Sequence, residues 1–346
     1  VGDEALGAEI VAFAPGRVNL IGDHTDYVGG LALPMAVELG TTVRGHRVGD
    51  LVALRSRTED RSARVPLRPD DPRRAEPAWA RYVAGIVAEL DPPVGFDGVV
   101  DTTLPVGAGL SSSAALELAI ALALGFEGSA MELARLGQRA EHRASGVPCG
   151  LMDQLTSACG VHGHALLVDF GDDSFSAVPM PPDLDVVVVH SGQSRSLTDS
   201  GYADRRRAAE AAARELGPLR GVSVEEVESL RDPVLRRRAR HVVSENARVR
   251  STAEALAADD GPAAGALLSE SHASLRDDAG VSTPVLDEAV RRLMAIPGVH
   301  GARLTGAGFG GCVVALADAG AVTDPSAITG RGWIVTAAAG ARLLAG

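Results

Sequence analysis

The chain has 346 residues and a formal net charge of −12, with 33 basic residues against 45 acidic ones and no lysine among the basic set. That balance speaks against a nucleic-acid footprint, and the missing lysine excludes a lysine-bearing P-loop, a Schiff-base lysine and a pyridoxal site. The length is too great for one core of ordinary size and suggests two domains, while Cys149, Cys159 and Cys312 lack CxxC spacing and point to a reducing cytosol.

In chain order, residues 9–13 read as a short strand. They lead into Ala14-Pro15-Gly16-Arg17-Val18-Asn19-Leu20-Ile21-Gly22-Asp23-His24-Thr25-Asp26-Tyr27. Asp23, His24 and Asp26 fall within four residues. In a glycine-rich loop such side chains can converge on a small polar ligand, although Asp and Gly also serve ordinary turns. No second histidine stands at ligand spacing from His24, so the spacing does not suggest zinc. Residues 51–66 read as a hairpin and 70–77 as a polar loop. A helix then starts near Trp79 and Tyr82, where a tryptophan reads as core more readily than as a ligand platform.

An extended segment at 97–104 runs into a stretch with Gly107, Gly109, Ser111, Ser112 and Ser113, followed by an apolar run at 114–124. Glycines let the backbone approach a ligand, serines suit an N-cap, and the run reads as a buried helix stopped at Gly125. A helix start of this kind suits phosphate, and it also suits a plain turn before a core helix. Without lysine, any phosphate must be met by Arg, a metal ion or backbone N–H groups.

Ser129-x-x-Glu132 is a capping box that opens a further helix, ended by Gly146 and Pro148. Glu141 lies late in it, where the helix dipole disfavours a carboxylate. Arg139, His142 and Arg143 could supply the cation it wants, or a bound Mg2+ could. Asp153 stands at the opening of a short helical stretch. It is either an N-cap or a carboxylate held ionised beside substrate, fit to accept a proton.

Residues 165–170 read as a strand and 171–173 as a turn, with a domain boundary near 175 that divides the chain into 1–175 and 176–346. A strand at 186–190 precedes a polar loop, 191–201, ending at Tyr202, and a helix at 203–216. Amphipathic helices follow at 233–258 and 262–276, and Thr283-Pro284 starts another. Strands at 299–305 and 312–317 flank Gly306-Ala307-Gly308-Phe309-Gly310-Gly311. The G-x-G-x-x-G spacing there is followed by a strand, so it reads as a hairpin loop and not as a dinucleotide fingerprint.

Segments 15–27, 107–115 and 305–311 resemble, in order, the three motifs of the GHMP small-molecule kinases. The first of them, with 79–83, 148–154 and 269–278, is similar to the galactokinases in particular. The resemblance covers nearly the whole chain. It implies an α/β (α+β) two-domain fold with ATP and a hexose in the cleft between, and transfer of the γ-phosphoryl of ATP to the anomeric hydroxyl of galactose. By motif it implies Asp153 as the catalytic aspartate, with Arg17 beside it. The implied sugar contacts are Asp23, His24, Asp26, Gly150, Asp153 and Tyr202. Trp79 would sit next to adenine, which shifts its reading toward a ligand role. Gly107, Ala108, Gly109, Leu110, Ser111, Ser112 and Ser113 would form the ATP-binding loop, with Ser113 and Glu141 as Mg2+ ligands. The 306–311 loop matches a motif that closes around the site.

The chemistry fits these residues, because phosphoryl transfer needs positioning and charge neutralisation more than covalent help. Arg17 would either stabilise charge on the transferring group or act on the protonation of Asp153. Two departures bear on which sugar is taken. The family usually has Glu where this chain has Asp23, and an arginine where it has Ser194, with Arg195 one place later. The alternatives are an anomeric kinase for another sugar (an aldohexose, amino sugar or pentose) and a non-catalytic sugar- and ATP-binding sensor. The expected partners are a small sugar and ATP, with no nucleic acid and no membrane, and the expected state is a cytoplasmic monomer.

Overall fold

A computed structural model describes residues 8–105, 109–146, 149–193 and 198–345. Gly107, Ala108, Pro148, Ser194 and Arg195 lie outside the described residues. Strand β1 (Ile10–Asn19) runs past the short strand expected at 9–13 and pairs antiparallel with β3 (Pro34–Arg47). Its register shifts between Pro15 and Arg17, because a proline cannot complete the ladder and the bulge re-aims the next side chain. Gly16 is required there: a Cβ would come 2.4 Å from Leu104 Cδ2 and 2.5 Å from the Leu110 carbonyl. This close approach lets the Arg17 N–H donate to the Leu110 carbonyl at 3.1 Å, tying the start of a later helix to β1.

Between these strands lies the short β2 (Leu31–Ala32). The hairpin expected at 51–66 forms as β4 (Leu51–Ser56) and β5 (Ala63–Pro66). Helix α1 (Ala80–Leu90), strand β6 (Phe96–Thr102) and helices α2 (Ser112–Ala123), α3 (Ala130–Ser145) and α4 (Met152–Cys159) follow. Among the described residues a six-stranded sheet runs β13-β1-β3-β6-β4-β5, where β13 is Arg342–Leu343. Nine of the twelve α2 residues are buried, so the helix is sunk in the core and its N-terminus is fixed against β1 and β3. Helix α3 starts on the Ser129 capping box and ends on left-handed Gly146, as expected.

Strands β7 (His164–Asp169) and β8 (Ser174–Pro179) join β2 in a three-stranded sheet, so residue 175 falls inside β8. Strand β9 (Leu184–His190) precedes α5 (Thr198–Leu216). Tyr202 therefore sits within a helix and not at the end of a loop, because the Ala/Arg-rich run behind it propagates helix back over the polar residues. After the single turn α6 (Val224–Val227) come α7 (Pro233–Ala257), α8 (Gly261–Ser274), extended by a π turn over Leu275–Ala279, and α9 (Pro284–Met294). Thr283 caps α9 and Pro284 opens it. Strands β10 (Val299–Thr305) and β11 (Cys312–Asp318) pair antiparallel around the 306–311 loop, which confirms a hairpin; with β9 and β12 (Gly332–Val335) they form a sheet in the order β10-β11-β9-β12.

One large hydrophobic cluster joins Leu20, Leu33 and Leu155 from the first half to Val186, Leu268 and Val314 from the second. A separate cluster lies beneath α9. Among the described residues no helix is long and apolar enough to cross a membrane.

Candidate active site

The bulge in β1 turns Arg17 toward α4. Its Nε and Nη2 donate to Asp153 Oδ1 at 2.9 and 2.6 Å, and its Nη1 donates to the Gly109 carbonyl at 2.7 Å. Asp153 is the second residue of α4, and the N-cap position belongs to Leu151, so the N-cap reading of Asp153 is set aside. In that first turn the helix dipole favours its charge. Its other oxygen, Oδ2, accepts a hydrogen bond from the Ser111 hydroxyl. Ser111 occupies the N-cap position of α2 in a left-handed conformation, φ 59°, and makes no capping bond. The sequence suggested a serine cap; the hydroxyl is instead spent on Asp153, and among the described residues the first-turn N–H groups of α2 keep no side-chain partner. Such groups suit an anion.

Glu141 meets none of the three cations expected for it. Arg139 and Arg143 both turn to Glu89, and His142 Nε2 lies 2.9 Å from the Cys149 N–H. Glu141 instead accepts from Ser113 Oγ at 3.0 Å and from Gln154 Nε2 at 2.5 Å. Burial, followed by the nearby charge of Asp153, pushes its pKa upward. Glu117 sits one helical turn below Ser113, wholly buried, with Oε1 lacking a partner among the described residues. Burial and then Glu141 hold its carboxyl far above the usual range. Three carboxyls thus share the region with Arg17. A hydroxyl and a carboxylate within hydrogen-bond distance are hard oxygen donors of the kind Mg2+ takes, with waters and phosphates completing its shell. Among the described residues no group of three or more His, Cys, Asp or Glu is arranged to hold a metal, which an ion shared with phosphate does not need.

A cavity of about 250 Å³ brings together Arg17, Asp23, His24, Asp26, Glu141, Gly150, Asp153 and Tyr202, along with Gly306 and Ala307 of the hairpin loop. His24 adopts φ 62° and its Nε2 lies 3.1 Å from the Ala307 carbonyl. A carbonyl only accepts, so Nε2 carries the proton and Nδ1 accepts from the Tyr27 hydroxyl at 3.0 Å. Burial lowers the His24 pKa to about 4, so the ring is neutral at pH 7. The His24, Tyr27 and Tyr202 rings pack with centroids 5.4–5.9 Å apart. Burial raises the Asp26 pKa to about 6. At Gly150 an added Cβ would lie 2.2 Å from Asp26 Oδ2, so a side chain there would displace the Asp26 carboxylate. Asp23 is held from below by wholly buried Arg303, whose Nη2 donates to Oδ2 and whose Nη1 donates to the Leu20 carbonyl at 2.8 Å.

A second cavity, also about 250 Å³, is lined by Trp79, Tyr82, Thr41, Thr58, Ser112 and Ser113. Trp79 is half-buried against the core while its Nε1 donates to the Arg61 carbonyl at 3.1 Å, so it serves both packing and the cavity wall. Ser113 lines this cavity and its bonded partner Glu141 lines the other, so one hydrogen bond links the walls of the two.

Sequence reasoning missed Glu117, Tyr27 and Arg303, and it missed the buried polar residues of α7 that reach the 20–31 loop. Glu117 carried one local signal, a lone acid in an apolar helix. Arg303 and the α7 residues are more than 200 residues from their partners and carried none.

Comparison with known proteins gives three family matches: the galactokinase galactose-binding signature over residues 3–47, the GHMP kinase N-terminal domain over 80–161 and the GHMP kinase C-terminal domain over 252–324. The galactokinase of Bos taurus is 47% identical over 92% of this chain and 86% of its own length. That of Homo sapiens is 46% identical over 92% and 86%, and that of Roseiflexus 42% over 90% and 84%. Lactococcus lactis galactokinase, solved with galactose, superposes with a TM-score of 0.89 at 31% identity, covering 98% of this chain and 96% of that one. A mevalonate kinase at 20% identity shares the fold, with a TM-score of 0.70.

Proposed function

The chain belongs to the galactokinase family of GHMP kinases, and on that premise we propose that it transfers the γ-phosphoryl group of ATP to the C1 hydroxyl of galactose, yielding galactose 1-phosphate and ADP. The observation that carries this reading is the pair of cavities whose walls are linked by one hydrogen bond. One is lined by Asp153, Arg17 and the polar loop 23–26, the other by Trp79 and the start of α2, and the Ser113–Glu141 bond lies between them.

In this mechanism the sugar hydroxyls lie against Asp23, Asp26, His24 and Tyr202, with C1 toward Asp153. The C1 oxygen forms its bond to the γ-phosphorus as the bond to the β–γ bridging oxygen breaks, and the hydroxyl proton passes to Asp153. Arg17 and Ser111 fix the direction of the Asp153 oxygens, so the base is aimed before substrate arrives. Uncapped N–H groups of α2 meet the phosphate chain. Ser113 and Glu141 would hold Mg2+, which supplies charge neutralisation on the β- and γ-phosphates. The absence of CxxC spacing among Cys149, Cys159 and Cys312 supports the reducing interior of a cell as the place of action.

The test is incubation with Mg-ATP and a panel of aldohexoses, pentoses and amino sugars, with ADP release followed by a coupled assay. Galactose-dependent ADP release is expected. Release that does not depend on any sugar would overturn the assignment.

A further inference from the structure

The loop that carries Asp23, His24 and Asp26 belongs to the N-terminal part of the chain, yet three of its backbone groups are satisfied from α7. The Gly22 N–H donates to Glu245 Oε1 at 3.2 Å, and the Leu31 N–H donates to Asn246 Oδ1 at 2.8 Å. The Asp23 carbonyl lies 3.0 Å from His241 Nε2. That oxygen can only accept, so His241 carries its proton on Nε2, and Nδ1 accepts from the Ser274 hydroxyl on α8 at 2.8 Å. Glu245 is itself held by Arg248 at 2.7 Å and by Ser271 at 2.5 Å.

His241, Glu245 and Asn246 are almost entirely buried, and none of them lines the sugar cavity. Buried polar side chains are costly unless the groups they meet would otherwise be orphaned. Here those groups are three main-chain atoms at Gly22, Asp23 and Leu31, which bracket the residues facing the cavity. Moving any one of them moves Asp23, His24 and Asp26 relative to Asp153.

We propose that His241, Glu245 and Asn246 are positioning residues for the acceptor sugar: α7 sets the shape of the sugar-binding loop from behind and so governs sugar affinity without touching the sugar. This rests on the proposed sugar-kinase reading and extends it to residues outside the cleft. Nucleotide affinity is independent of this contact, because the Trp79–Ser113 cavity shares none of these atoms.

The test compares wild-type full-length protein with His241→Leu, Asn246→Leu and His241→Gln, by steady-state kinetics and by calorimetric titration of the sugar without ATP. Glutamine places an amide N–H where the histidine donates, and leucine places none. Among the described residues Asn246 makes one side-chain bond, to Leu31, so its leucine variant is a narrow perturbation. Each leucine variant is expected to raise the galactose KM and Kd by about tenfold, the loss of its one buried hydrogen bond to the loop backbone, with the ATP KM within about twofold of wild type; His241→Leu also gives up the Ser274 bond, which does not reach the loop. His241→Gln is expected to recover most of the lost affinity. An unchanged galactose KM in both leucine variants would overturn the proposal. So would parallel changes in both substrates, failure of glutamine to restore, or loss of the fold in both leucine variants, which would assign these groups to stability alone. Wild-type turnover of galactose reports separately on the activity. If the wild type prefers another sugar, the same ratios are read with that sugar.

Discussion

Asp26 joins stability, acidity and substrate affinity in one side chain. Its ordinary pKa of 3.8 is raised to about 6, chiefly by burial, with the charge of Asp23 adding to the effect. A shift of roughly two units corresponds to ~3 kcal/mol of preference for the protonated form in the folded protein. The folded state binds this proton more tightly than the unfolded chain. The associated stability is therefore fully present below pH 3.8 and is lost as the pH rises through 6. At pH 7–8 the empty site carries an ionised carboxylate that the sugar hydroxyls would satisfy. Asp26→Asn removes the charge at nearly constant volume. It should stabilise the ligand-free protein at pH 7–8 by up to ~3 kcal/mol, less whatever the amide loses in its own hydrogen bonds. The same variant should lose galactose affinity. In the wild type, kcat/KM for galactose should fall about tenfold per pH unit below pH 6, because this quantity reports ionisation in the free enzyme. Urea denaturation at pH 4, 6 and 8 gives the stability difference, and a pH profile of kcat/KM gives the acid limb. The reasoning fails if Asp26→Asn is no more stable than wild type at pH 8, or if the acid limb persists unchanged in the variant.

Three other substitutions separate the roles assigned in the cleft. Asp153→Ala should cut turnover by about a thousandfold or more while nucleotide affinity by calorimetry stays within about threefold; retained turnover would remove Asp153 from the mechanism. Glu141→Gln should raise the Mg2+ concentration needed for half-maximal rate by about tenfold or more, read by titrating the metal at fixed ATP, and an unchanged requirement would count against Glu141 as a ligand. Asp23→Glu lengthens a carboxylate that Arg303 holds back. A lower galactose KM, measured against the sugar panel, is expected if the short side chain limits affinity, and no change would show that the departure from the family pattern is harmless.

Much of the site was legible because its residues lie in compact runs whose chemistry is local. Arg17 through Asp26 read as a polar, glycine-rich loop, 109–113 as a helix start, and Asp153 as a carboxylate at a helix opening. Strand and helix boundaries followed from caps and punctuating residues, as at Ser129, Gly146 and Thr283. The failures share a cause: a side chain with several available partners chose one from elsewhere in the fold. Ser111 left its capping role for Asp153, forty-two residues away. Arg139 and Arg143, neighbours of Glu141 in sequence, were drawn to Glu89 on α1. His241, Glu245 and Asn246 sit on a helix that reads as simply amphipathic, and only the folded chain brings their buried corner against residues 20–31.

The anchoring of this loop by α7 and β10 bears on attempts to redesign which sugar is accepted. Grafting residues 17–31 from a relative would carry over the groups that face the cavity but leave behind the backbone supports at His241, Glu245, Asn246 and Arg303. A transplanted loop would then relax into a different contour. Matched exchange of both segments, so that the new loop arrives with its own scaffold, is the construction this architecture demands.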